Sequence, residues 1–126
     1  MRITVPIALA ALMFSVTASQ AQQSPDPSGV WLRGDGNARV RITHCGNMIC
    51  ATNLWIRDTS NGEEPGDRLV MSLRPKSSDT LSGTAYDAKR NLTYSMTLRV
   101  STNALSTRGC ILGGVLCKNV QWKPVK

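Results

Sequence analysis

The chain has 126 residues, with 15 Lys or Arg against 8 Asp or Glu and a formal net charge of +7. This length admits one domain with a real but modest core. One Phe, two Tyr and three Trp are too few for a base-stacking platform, so the charge points to anionic lipid headgroups, polysaccharide or acidic proteins.

The first element is an export signal. Met1-Arg2 is a short positive start, Ile3 to Ala18 is nearly all apolar, and Ser19-Gln20-Ala21 puts small residues where a signal peptidase reads. Residues 1–21 are therefore read as a signal peptide removed after Ala21. The apolar run is too short for a comfortable membrane span, and Gln22-Gln23-Ser24-Pro25 follows it abruptly; a retained N-terminal anchor is the rival reading. No Cys marks the cleavage site, so a lipoprotein anchor is not expected. The expected product is a periplasmic or secreted chain of roughly 105 residues in an oxidising space, an address that disfavours nucleic acid as a partner. Positive charge on so small an exported domain also serves plain solubility.

Residues 22–28, polar with Pro25 and Pro27, read as a flexible leader, and residues 29–126 as one domain. From there the side-chain period is two nearly everywhere. Gly29 to Leu32 opens the set. Ala38 to Thr43 alternates basic and apolar, and Thr52 to Arg57 is a further strand. Asp58 to Arg68 is the longest polar loop. Leu69 to Arg74 resumes the strand pattern, Pro75 to Asp79 breaks it, and Thr80 to Tyr86 follows. Gly83 within that last stretch suggests a bend or bulge. After a turn at Asp87 to Asn91, Leu92 to Val100 alternates without a fault. Leu105 to Cys110 and Cys117 to Lys123 complete about eight antiparallel strands. The economical fold is all-β, a small up-and-down barrel, because closure removes exposed edges.

The four cysteines fall in two close pairs. Cys45 and Cys50 flank Gly46-Asn47-Met48-Ile49, read as a four-residue turn between facing positions, and Cys110 and Cys117 flank Ile111 to Leu116 with its Gly113-Gly114. Four cysteines allow three connectivities. Chain entropy favours a crossed pattern, with about 4 kcal/mol for a long bridge against about 2 for a local one. Hairpin geometry favours the local pairs, and these are expected. A zinc site built from these thiolates and His44 is the rival; the spacings match no common zinc module and the compartment opposes it. Neither pair has the spacing of a thioredoxin-like redox motif.

The chain resembles the exported bacterial proteins catalogued as domain of unknown function 2147, over roughly residues 28–124. The resemblance rests on Gly29-Val30-Trp31, on Val40-Arg41-Ile42 leading to Cys45-Gly46 and Cys50, and on Gly83-Thr84-Ala85-Tyr86-Asp87. Leu92-Thr93-Tyr94-Ser95-Met96, Arg108-Gly109-Cys110 and Cys117 to Trp122 extend it. It implies a small lipocalin-like barrel and no assigned activity. The chain departs from that pattern in the long loop, with Asp58 then Asn61-Gly62 in place of an Asn-Pro, and at Ala51 in place of a Gly. Gly29-x-Trp31 is also similar to the opening motif of lipocalins, where the Trp closes the narrow end and a basic side chain of the last strand covers its ring. That likeness implies a structural plug made by Gly29 and Trp31, with Lys123 or Arg108 as the cation.

Two functions are weighed. In the first the chain is a binding module for a small apolar or amphipathic molecule, lipid-like, with Leu69, Met71, Leu73, Tyr94, Met96 and Leu98 lining the interior. Solid packing competes with it, and a mature chain this short slightly favours a solid interior. In the second, Arg39, Arg41, Arg99 and Arg108, in the polar phase of their strands, form a cationic face toward an anionic envelope surface. An ordinary solvated face competes with that. Catalysis is the weakest class and a non-enzyme without cofactor or metal is expected. His44 is the single histidine, its neighbour Cys45 is expected to be oxidised, and the carboxylates fall in turns with no spacing that proposes a pair. Gly113-Gly114 lacks the lysine and helix of a phosphate loop. Asn91-Leu92-Thr93 matches the glycosylation sequon, which the bacterial context implied by the resemblance makes a chance match.

Overall fold

The computed structural model describes residues 2–15 and 24–126. The cleavage motif Ser19-Gln20-Ala21 and the first two leader residues lie outside the described residues. Residues 2–15 carry neither helix nor strand, and no helix among the described residues is long and apolar enough to cross a membrane.

Eight antiparallel strands follow one another around a closed up-and-down barrel. They are β1 (Gly29–Arg33), β2 (Ala38–Cys45), β3 (Met48–Ile56), β4 (Arg68–Pro75), β5 (Thr80–Asp87), β6 (Leu92–Val100), β7 (Leu105–Ile111) and β8 (Leu116–Pro124). Closure is made by β1 against β8, with Leu32 opposite Lys123. The expected fold class is the one observed, and the alternation that predicted the strands is the reason for it. Trp31, Val40, Ile42, Met71, Ala85, Leu98 and Leu105 turn inward and form one apolar cluster.

Local departures from expectation have local causes. β3 begins at Met48, because the β2–β3 turn is only Gly46-Asn47, with Gly46 at φ +66°. A tight hairpin with glycine first needs no longer loop. Cys45 and Cys50 therefore bond diagonally, Cys45 opposite Met48 and Cys50 opposite Thr43, rather than as facing residues. Cys110 and Cys117 do face one another and form the second bridge. Gly83 sits in an unbroken register with both neighbours, and the register shift lies between Arg39 and Val40 instead. The glycine is there because β4 passes so close that a Cβ would collide with the Ser72 carbonyl oxygen.

The connections after β1, β3, β5 and β7 lie at one end of the barrel and those after β2, β4 and β6 at the other. We call the first end the mouth and the second the base. At the base Pro27 is fully buried and its carbonyl accepts a hydrogen bond from Trp31 Nε1 at 2.9 Å. Pro27, from the stretch read as a leader, is therefore packed against the barrel, while Ser24, Asp26 and Ser28 around it are exposed.

Candidate functional site

The barrel is not solid. A cavity of about 410 Å³ runs from its middle to the mouth, which overturns the slight preference for a filled interior. Its size falls in the range of small-molecule sites. The shaft is apolar: Val40 and Ile42 from β2, Leu69 and Met71 from β4, Tyr94, Met96 and Leu98 from β6, Leu105 from β7 and Trp122 from β8. Alternation explains the set, since residues two apart on each strand share the inner face. Small residues keep the space open. Ala51 and Gly109 line the wall, where larger side chains would cross it. Trp122 Nε1 donates to Thr107 Oγ1 at 3.0 Å, which ties the indole to β7.

Of the six interior residues expected to line a ligand site, Leu69, Met71, Tyr94, Met96 and Leu98 line this cavity. Leu73 does not. It lies on β4 toward the base and packs against the closed core.

Above the shaft the rim is charged. Arg33 holds Glu63 through two parallel bonds, Nη1 to Oε1 at 2.6 Å and Nη2 to Oε2 at 2.7 Å, while its Nε reaches Asp35 at 3.0 Å. Asn37 and Asn61 also donate to Glu63. The guanidinium holds the Glu63 carboxyl down to about 2, against an ordinary value of 4.5. On the far side, Arg90 bonds the buried Asp87 at 3.0 Å, and both Arg90 and Lys89 donate to the Gly62 carbonyl, at 3.2 and 3.1 Å. Lys89 also reaches Asp67 at 3.0 Å. The loop between β3 and β4 is thus tied to β1 on one side and to the β5–β6 turn on the other. It spans the mouth. Asn53 fixes its root: its backbone N–H donates to the Asp67 carbonyl, its carbonyl accepts from Gly66 N–H, and its side chain donates to the Glu64 carbonyl.

The rim was missed in the sequence, although one signal was present. Arg33 stands two residues after Trp31 and so shares its inward phase, and Lys118 precedes Val120 and Trp122 in the same way. The long-range partners Glu63 and Arg90 carry no such signal.

The other expected sites are dispersed by the fold. Gly29 and Trp31 meet at the base, where a Cβ on Gly29 would lie 3.6 Å from the indole nitrogen. Arg108 and Lys123 do not join them: Arg108 lies on the outer surface with Asn119, and Lys123 stands opposite Leu32. Among the described residues the cation–π contact is Arg39 over Trp55, 5.2 Å from the ring centre. The four arginines expected on one face are split. Arg39 and Arg41 are on β2, whereas Arg99 and Arg108 are on β6 and β7, across an eight-stranded ring. His44 pairs with Asp26 at 3.0 Å, both exposed at the base and far from the cavity. All four cysteines are in disulfides, and among the described residues no three His, Cys, Asp or Glu side chains converge on one point.

Fold and cavity together define the class: a small closed β-barrel with an apolar shaft, a charged mouth and a disulfide at each end. The chain belongs to the family described as uncharacterized protein conserved in bacteria (DUF2147), whose match spans residues 29–124, from the first residue of β1 to the last of β8. No curated protein and no solved structure shows a significant match. The two disulfides are compatible with an exported protein.

Proposed function

We propose that the protein is an exported, non-enzymatic binding module of the bacterial periplasm or cell exterior, which takes a small amphipathic molecule into its barrel. The observation that carries this reading is the apolar shaft of about 410 Å³ beneath a ring of charged side chains. An apolar chain or ring system gains most by leaving water for the shaft. A polar or anionic head left at the rim meets Lys118, with Arg33 and Arg90 also lining that end of the cavity. No cofactor enters this reading.

Native mass spectrometry of the protein purified gently from the cells that export it tests the idea. The expected result is a discrete added mass that organic extraction removes and that returns when the extract is added back. The bare polypeptide mass, less the hydrogens of two disulfides, with nothing taken up from the extract, would sink it.

A further inference from the structure

The hairpin of β7 and β8 ends in a tip that the barrel does not use. Ile111-Leu112-Gly113-Gly114-Val115-Leu116 holds no polar side chain, and three of its four large residues face outward: Leu112 is 70% exposed, Val115 79% and Leu116 55%. The Cys110–Cys117 disulfide clamps the tip at its root, and Val115 N–H closes it on the Leu112 carbonyl at 3.3 Å. Leu112 adopts φ +54°, a left-handed conformation that glycine or asparagine takes at less cost. A rigid turn thus displays three aliphatic side chains at the mouth end of the barrel.

The wall behind the tip carries no acid of its own, although the Asp35 carboxylate of the β1–β2 turn feels the Lys118 charge. No Asp or Glu occurs after Asp87, so β6, β7 and β8, which are neighbours in the barrel, carry only cations. Arg108 is exposed on that wall and Lys118 stands at the rim beside the tip. The acids of the mouth belong to β1–β2, to the β3–β4 loop and to the end of β5, and Glu63, Asp67 and Asp87 are each held by a cation.

We propose that this tip inserts its aliphatic side chains shallowly into an anionic lipid surface, with Arg108 and Lys118 against the headgroup phosphates. The shape selects the occupant. A convex tip of three side chains offers far less than the roughly 800 Å² per partner of a stable dimer. A fluid bilayer closes around a convex apolar turn, and cations flanking it match a negative surface. Docked in this way the hairpin brings the cavity mouth next to the lipid, although the docking itself does not require the cavity to be occupied.

The test is co-sedimentation of the exported protein with vesicles of equal parts phosphatidylglycerol and phosphatidylethanolamine, and with vesicles of phosphatidylcholine. Binding is expected to the anionic vesicles, weakening as salt is raised. The double variant Leu112→Ser, Val115→Ser should partition roughly tenfold or more less strongly, with an unchanged circular dichroism spectrum and both disulfides intact. Arg108→Gln with Lys118→Gln should remove most of the salt dependence. Equal binding by the Ser variant overturns the proposal, as does a wild type that leaves anionic vesicles in solution. A wild-type dimer that the Ser variant converts to monomer overturns it in favour of a second copy of the chain.

Discussion

Trp31 shows how one side chain closes an end of this barrel. It is 6% exposed, belongs to the apolar core cluster, and spends its one polar atom on the Pro27 carbonyl. The ring therefore brings a large apolar area out of water and leaves no donor unpaired. Replacing it by Ala removes that area and leaves a cavity that strands on every side hold open. Trp31→Ala is expected to cost about 3–5 kcal/mol in denaturant unfolding, and a loss below about 1 kcal/mol would show that the indole closes nothing. The lipocalin-like motif implied a plug at this residue, and the indole lies at the base beside Gly29 and Pro27. It did not supply the cation, because Arg108 and Lys123 occupy the outward phase of their strands, and no side chain on the outer face reaches an indole inside.

At the scale of an element, the β3–β4 loop is held across the mouth by charged contacts on both sides. Its strongest tie is the Arg33–Glu63 pair, partly buried and bidentate. Because the Glu63 carboxyl is depressed to about 2 in the fold and stands at 4.5 when free, the pair contributes fully above about pH 4.5. That contribution is lost as pH falls from 4.5 toward 2, when the folded carboxyl takes its proton. Glu63→Gln should cost about 1–2 kcal/mol at neutral pH, after allowance for solvent at the rim, and should flatten the acid limb of the stability curve in that window. It should also speed release of whatever the cavity holds, measured by stopped-flow dilution. An acid limb identical to that of the wild type would show that the pair does not hold the loop. The Lys89 and Arg90 contacts to Gly62 persist in this variant, so the loop is loosened on one side only.

For the whole molecule, closure decides which residues meet. The barrel places β2 across the ring from β6 and β7, which is why Arg39 and Arg41 make no common face with Arg99 and Arg108. It also gathers the acid-free β6, β7 and β8 side by side. The same closure leaves the interior partly empty, and this has a measurable consequence at Ala51, which lines the shaft between Ile42 and Leu69. In a filled core Ala51→Leu would cost about 1–3 kcal/mol through overpacking. Here the added methyl groups have space, so stability is expected to hold or rise slightly, while uptake of an amphipathic ligand falls. A destabilisation of the overpacked size would mean that the shaft closes up in solution.

Much of the fold was legible in the chain. The period of two, faultless from Leu92 to Val100, follows from a sheet wet on one side and apolar on the other. The close cysteine pairs and the intervening turn residues are equally local. The interior lining was legible for the same reason, with Leu73 misplaced only because alternation tells the face and not the height along the barrel. What the sequence left undetermined was everything that depends on distance across the ring: the empty shaft, the Arg33–Glu63 tie over thirty residues, and the wall on which each arginine stands. Alternation and turn chemistry act between neighbours in the chain, so sequence alone carried the strands and their faces. Volume and charge add up in space, so only the closed barrel decided what those faces enclose.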